Sequence, residues 1–381
     1  MREINREHTH AVKLEMATQK FGTDDLLPLW VADMDLASPL CVQEALIKRA
    51  THPIYGYTIY PDSYYEAIIA WMRDRFDWEV DREWITPCYG VVPSINFCVE
   101  ALTQVGDGVI VQTPIYPPFL NSVHQHRRVL LENRLLYEDG NYRIDFEDFE
   151  AKAKEAKLFL LCSPHNPVGR VWDSDELERL VRICQENGVI IISDEIHSDI
   201  VYEKEHIVTA KLSPNETILF NAPSKTFNIA GLNTSFAIIP NKKIRSRYNK
   251  RQRLSGFGDG NPFGIEALIA AYSDGEAWLV ELKKHLQKNI HYVNNFIREH
   301  RLDIVPTKTE ATFLIWLDCQ ALGYSDEELE RFFIQDAKLG LNSGRSFGEA
   351  GSGFMRLNIA TSITKVKEAM NRILQACEKR D

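Results

Sequence analysis

The sequence has no run of roughly 20 apolar residues, the length a helix needs to cross a bilayer, so a membrane-spanning helix is not expected. It also has no G-x-x-x-x-G-K-[ST] loop and no G-x-G-x-x-G fingerprint, which removes the two commonest glycine-rich nucleotide cradles. Positive charge is in short supply: 44 Lys and Arg stand against 54 Asp and Glu, a net charge of −10. That balance argues against nucleic acid and against an anionic membrane surface as partners. The cysteines number seven, an odd count, and no two have C-x-x-C spacing. They read as small buried hydrophobes in a reducing compartment, not as a disulfide framework. No cluster of histidines and carboxylates has metal-ligand spacing, so no metal is expected. The stretch from Met1 to Lys13 is charged and carries no apolar stretch of the kind a secretory signal needs, so the protein is expected in the cytoplasm.

What the chain does have is enough length and apolar content for two cores. Its 381 residues are 44% hydrophobic and 26% charged, and a chain of that size divides into a large domain and a smaller companion. Between residues 85 and 240, short apolar runs alternate with amphipathic segments. Gly108–Gln112, Leu158–Cys162, Val189–Ser193, Ile218–Asn221 and Ser235–Ile239 read as strands, and their near-continuous hydrophobicity suits a parallel sheet buried on both faces. Ser63 and Glu66 have capping-box spacing ahead of a stripe of Tyr65, Ile68, Ile69, Met72 and Phe76. Asp173 and Glu176 repeat the pattern ahead of Leu177, Leu180, Val181 and Cys184, with Gly188 as the stop. After about residue 280 the texture changes to a long helix from Glu276, a strand at Ala311–Asp318, a helix from Ser325 to about Lys338, a Gly/Ser-rich loop, a strand at Met355–Ile359 and a last helix. The expected division is a large α/β domain over 46–280 and a small α+β domain from 1–45, with little regular structure, together with 281–381.

Five stretches carry chemistry. Lys225 follows the strand Ile218–Asn221 and precedes a glycine-containing turn. A strand end in an α/β sheet is where ligands gather, and burial there keeps an amine neutral and nucleophilic. Asp194 closes a second strand, in Asp194-Glu-Ile-His197, and is placed to keep a pyridine nitrogen protonated; His197 could face a ring substituent. Asn166, in Asn166-Pro-Val-Gly169, follows a third strand and offers an amide donor. Gly90 and Val91 open a helix, where free N–H groups bind anions such as phosphate. Tyr116 follows Gly108–Gln112 and could stack on a flat ring. Each stretch has a bland alternative: a solvated lysine, a helix cap, a turn, a core tyrosine. Together they are the parts needed to hold pyridoxal 5′-phosphate (PLP).

The chain resembles the class I/II aminotransferase superfamily of PLP enzymes over nearly its whole length. Within it, the chain is most similar to the bacterial cystathionine β-lyase (C–S lyase) branch. Trp30-Val-Ala-Asp-Met-Asp35, Tyr55-Gly-Tyr-Thr58, Asp194-Glu-Ile-His197 and Ser224-Lys-Thr-Phe-Asn-Ile-Ala-Gly-Leu232 carry the likeness. The resemblance implies an aspartate aminotransferase-like fold, a large α/β domain with a mainly parallel sheet plus a smaller α+β domain. It implies Lys225 as the Schiff-base lysine and proton carrier, Asp194 on the pyridinium nitrogen, Asn166 on the ring oxygen and Tyr116 on the ring face. Gly90, Val91 and Ser224 would hold the phosphate, joined by Tyr57 from the second subunit of a homodimer. Arg356 would clamp the substrate α-carboxylate, with Ala32 and Asp33 as further substrate contacts. The chain departs from the usual pattern at His197, where a tyrosine is expected, at Ala222 in place of serine and at Asn233 in place of arginine; the last two thin out the phosphate cup. The implied reaction is α,β-elimination from L-cystathionine or related cysteine S-conjugates, giving a thiol (homocysteine), pyruvate and ammonia. An aminotransferase using the same lysine and aspartate, and a non-catalytic regulatory protein that keeps the fold, are the alternatives.

Overall fold

The computed structural model describes residues 1–256 and 260–379. Its centre is a seven-stranded sheet. In chain order the strands are β1 (Ile85–Cys88), β2 (Gly108–Thr113), β3 (Val129–Arg134), β4 (Ala156–Cys162), β5 (Ile190–Asp194), β6 (Thr217–Asn221) and β7 (Ser235–Ile238). Their spatial order is β1-β7-β6-β5-β4-β2-β3. Side chains alternate between two cores. Val109, Val111, Leu158, Leu160, Ile192 and Phe220 face one, while Ile110, Phe159, Leu161 and Ile191 face the other. Both faces are covered, so the strands have no polar side and read as continuous apolar runs. Burying each such side chain contributes roughly 1.5–3 kcal/mol.

Neighbouring strands are parallel except β7, which runs antiparallel to both β6 and β1. The expectation of a parallel Ser235–Ile239 strand is therefore corrected. A parallel return needs a crossover, usually a long helix. The connection from Asn221 to Ser235 holds only a short helix at Pro223–Thr226 and a single turn at Ala230–Leu232, so the chain doubles back. The consequence for function is direct. Register pairs Cys162 with Asp194, Asp194 with Phe220, and Asn221 with Phe236, beside Ser235–Cys88. The loops after β1, β4, β5 and β6 thus leave from one edge of the sheet.

The flanking helices include α1 (Leu40–Thr51), α2 (Asp62–Phe76), α3 (Val91–Leu102), α4 (Pro117–Gln125), α5 (Ser174–Asn187), α6 (Pro262–Asp274), α7 (Glu276–His300) and α8 (Ile363–Glu378). Helix α5 forms as its sequence predicts. Asp173 and Glu176 make a reciprocal capping box and Gly188 ends the helix at φ 65°. Helix α2 does not use its apparent cap. It begins at Asp62 behind Pro61, without a side-chain cap, and buries Tyr64, Ala67, Ile68, Trp71 and Met72. Tyr65, Ile69 and Phe76 sit at the edge of that stripe. The predicted helix from Ser325 is capped by Ser325 and Glu328 but lasts only to Arg331, then widens over Phe332–Asp336. The wider turn lets the adjacent Phe332 and Phe333 both be buried.

A second sheet has the order β8-β9-β11-β10 and is antiparallel, with β8 (Val305–Pro306), β9 (Leu314–Asp318), β10 (Asn342–Ser343) and β11 (Phe354–Asn358). The amino-terminal region packs here: Leu27–Pro28 pairs in parallel with Leu339–Gly340. That region is more regular than its sequence predicts, with short helices at Val12–Glu15 and Ala17–Phe21 ahead of α1. Among the described residues, no helix is long and apolar enough to cross a membrane.

Candidate active site

A cleft of about 320 Å³ lies at the sheet edge where those loops emerge. Lys225, Asp194, His197 and Asn166 line it from the loops after β6, β5 and β4, and Ala32, Gly90, Val91, Tyr116 and Ser224 complete most of its wall. The fold thus brings nine predicted residues together from six separate stretches of chain. Each polar one arrives by a local device. Lys225 sits on the short helix after β6, which is stitched to the loop after β5: Thr226 Oγ1 donates to Asp199 (2.8 Å) and Asn221 Nδ2 to Ser198 Oγ (3.0 Å). Asp194 ends β5, and its Oδ1 accepts from the Ile196 amide at 3.1 Å. Tyr116 stands at the start of α4, its amide donating to the Asn166 carbonyl at 3.2 Å.

Burial sets the charges. It pushes the Asp194 carboxyl up to about 7, a rise the Ile196 amide and Lys225 partly offset. The Lys225 amine is pulled down to about 8 by burial and by Arg356, against the attraction of Asp33 and Asp194. His197 is pushed down to about 3 by burial, Lys225 and Arg356, so its imidazole is neutral. Its Nδ1 is buried with no partner. In this state a neutral amine is accessible near physiological pH, in the same cleft as a carboxylate that a nearby cation favours in its ionised form.

Arg356 comes from β11 in the second sheet and lies 3% exposed. Its Nη1 donates to Asn166 Oδ1 (3.1 Å) and its Nη2 to the Trp30 carbonyl (2.9 Å). Its Nε is buried without a partner. A buried guanidinium N–H is rarely left unbonded, and this one, beside a cleft, marks a place for an anionic ligand. Because Asn166 turns its oxygen to Arg356, its NH₂ remains as a donor.

Three predicted contacts are placed otherwise. The Asp33 carboxylate turns away from the cleft to Arg6 and Lys13, at 2.6 and 3.0 Å. Burial alone raises its pKa, yet these cations bring it below the ordinary carboxylate range. The Gly90 amide, expected on a phosphate, donates to Ser235 Oγ at 2.7 Å. Tyr57 is fully exposed and does not border the cleft. Some lining residues have no role assigned from the sequence: Cys162, whose Sγ accepts from the Asn166 amide (3.4 Å), and Ile196, an apolar residue inside the Asp194–His197 motif. Asn233, noted only as a missing arginine, also lines the cleft, at φ 48°.

The profile described as "Aminotransferase class I and II" matches residues 24–373. Cystathionine beta-lyase PatB of Bacillus subtilis (strain 168) is 41% identical over 374 residues, 97% of each chain. Cystalysin of Treponema denticola, whose crystal structure contains a pyridoxal 5′-phosphate cofactor, superposes with a TM-score of 0.95 at 35% identity, covering 100% of this chain and 99% of that one. The PLP-bound C–S lyase of Staphylococcus hominis superposes with a TM-score of 0.92 at 32% identity, covering 98% and 97%. The fold is that of the PLP-dependent aminotransferases. This chain belongs to the aminotransferase class I and II family.

The lowered amine is testable on protein freed of small ligands. Labelling of Lys225 by an amine-reactive acylating reagent, followed by peptide mass spectrometry across a pH series, is expected to rise with a midpoint near 8. The deprotonated amine is the nucleophile, so the rate climbs as pH passes that value and then levels. A midpoint near the ~10.4 of an ordinary lysine contradicts the site's electrostatics.

Proposed function

We propose that this protein is a PLP-dependent carbon–sulfur β-lyase that cleaves L-cystathionine, or related cysteine S-conjugates, to a thiol, pyruvate and ammonia. The observation that carries the reading is the placement of Lys225, Asp194 and Asn166 in one cleft, with Arg356 bonded to Asn166 beside it, in a chain similar over 97% of its length to a cystathionine β-lyase. The residues present fit the cofactor: a buried carboxylate for a ring nitrogen, an amide donor for a ring oxygen, an aromatic wall, and two orphaned buried nitrogens on His197 and Arg356.

When bound, pyridoxal 5′-phosphate supplies a conjugated ring that accepts the electron pair left when Cα of an amino acid loses its proton. Lys225 carries the cofactor and then moves the Cα proton. Its lowered pKa makes the amine a base near neutrality. Asp194 would pair with the ring nitrogen and keep its proton there, a partner that favours the ionised carboxylate. Asn166 would donate to the ring oxygen, and the neutral His197 lines the same cleft. Tyr116 would offer an aromatic face to the ring. Val91 and Ser224 would hold the phosphate, and Gly90 would give it room. Arg356 clamps the substrate carboxylate through its fork. Thiolates leave readily, so a sulfur on Cβ directs the reaction to elimination. Water then completes the balance: cystathionine and water give homocysteine, pyruvate and ammonia.

The assembly we propose is a two-fold homodimer in which Tyr57 reaches the partner's phosphate site. Leu40, Ile47, Ile54, Tyr55, Tyr57 and Ile59 are all exposed on neighbouring stretches of chain. Apolar side chains gathered in this way mark an interaction surface, and a two-fold axis covers the same patch on both copies. None of the seven cysteines is in a disulfide, which suits the reducing cytoplasm as the location.

Three measurements test these readings. L-Cystathionine, with no 2-oxo acid added, is expected to yield pyruvate, ammonia and homocysteine in equal amounts. A requirement for a 2-oxo acid, with the pyridoxamine form of the cofactor accumulating, overturns the lyase in favour of an aminotransferase. Light scattering at assay concentration is expected to give a dimer, and Tyr57→Phe to release the cofactor more readily. A fully active monomer contradicts the shared site.

A further inference from the structure

We infer that Arg6 and Lys13, from the amino-terminal segment, are positioning residues for Arg356: they tie down residues 30–36, whose backbone carbonyls hold the active-site cations. The inference rests on the reading of Arg356 as the substrate clamp. It follows from the two sides of this segment being bonded to two different sets of cations.

On one side are side chains. Arg6 meets Asp33 with two parallel bonds, Nη1 to Oδ1 at 2.9 Å and Nη2 to Oδ2 at 2.6 Å, and reaches Asp35 Oδ1 at 3.2 Å. Lys13 is 1% exposed, with Nζ 3.0 Å from Asp33 Oδ1 and 3.0 Å from Asp35 Oδ1. Lys365 closes the group, 3.6 Å from Asp35 and 2.6 Å from Glu3. Arg6, Lys13 and Lys365 balance Glu3, Asp33 and Asp35, so the group is neutral. A lysine buried this deeply is tolerated only when paired, and here its partners both lie on the segment.

On the other side are carbonyls. Trp30 accepts from Arg356 Nη2 (2.9 Å) and Asn342 Nδ2 (2.7 Å), and Ala32 accepts from Lys225 Nζ (2.7 Å). Asn358 Nδ2 donates to the Val31 and Asp33 carbonyls at 2.5 and 2.7 Å. Trp30 also ties back to the amino-terminal segment, its Nε1 donating to the Lys13 carbonyl at 3.0 Å. Movement of the segment therefore moves the acceptor that orients the Arg356 guanidinium. The substrate carboxylate is bound equally before and during reaction, so a loosened clamp weakens binding and leaves turnover alone.

The test compares Arg6→Ala and Arg6→Lys with the wild type by two readouts. Hydrogen–deuterium exchange reports the amides of residues 30–36 with or without cofactor, and pyruvate release from L-cystathionine gives KM and kcat. Arg6→Ala is expected to speed exchange across 30–36 and to raise KM, each about tenfold, the cost of about 1.4 kcal/mol, with kcat within about twofold. Arg6→Lys keeps the charge without the fork and is expected to recover part of both changes. Unchanged exchange, or a fall in kcat at constant KM, overturns the inference. A wild type that releases no pyruvate sinks the reaction proposed above, while exchange at 30–36 still decides whether Arg6 holds the segment.

Discussion

Lys225 and Asp194 line one cleft, Arg356 is buried beside it, and each must stay apart from the other two. Two cations and a carboxylate in low dielectric would collapse into a salt bridge if nothing else satisfied them. The protein prevents this with neutral hydrogen-bond partners. Lys225 donates to the Ala32 carbonyl, and Arg356 to Asn166 and the Trp30 carbonyl. Asp194 takes a backbone amide. Burial, in turn, lowers the amine to about 8 and raises the carboxyl to about 7. A site poised in this way can accept a charged ring between them.

The rest of the fold serves that separation. Parallel β4, β5 and β6 bring Asn166, Asp194 and Lys225 out at one edge, one strand apart. The antiparallel β7 and its neighbour β1 carry Ser235 and Gly90 to the same edge, where the Ser235 hydroxyl accepts from the Gly90 amide. Behind the lysine, Asp199 is fully buried and accepts from Trp71 Nε1 (3.1 Å) and Thr226 Oγ1 (2.8 Å), which fixes the short helix from a second direction. Arg356 arrives from the other sheet, so the cleft is complete only when the two sheets are packed together.

How much of this was legible in the sequence depended on range. Lys225, Asp194 and Asn166 could be found because each stands at the end of an apolar run or within four residues of it, and the strand-end position is a local signal. Helix α5 could be read because its capping box lies within four residues. The misreadings have a common cause in contacts made far along the chain. Asp33 looks like a substrate contact until Arg6, 27 residues earlier, is seen to take its carboxylate. Gly90 looks like a free phosphate donor until Ser235, 145 residues later, is placed against it. The direction of β7 depends on how the lysine turn is spent, which periodicity does not report. The Ser63–Glu66 pattern failed more locally: a helix starting two residues earlier, behind Pro61, leaves no cap for Ser63 to make.

The central claim is that one lysine, at the end of β6, carries the cofactor. Borohydride reduction of the PLP-loaded protein, followed by proteolysis and peptide mass spectrometry, tests it most directly. The account predicts a pyridoxyl group fixed on Lys225 alone. A label on any other lysine, or a chromophore lost after reduction because it was never covalently held, contradicts it.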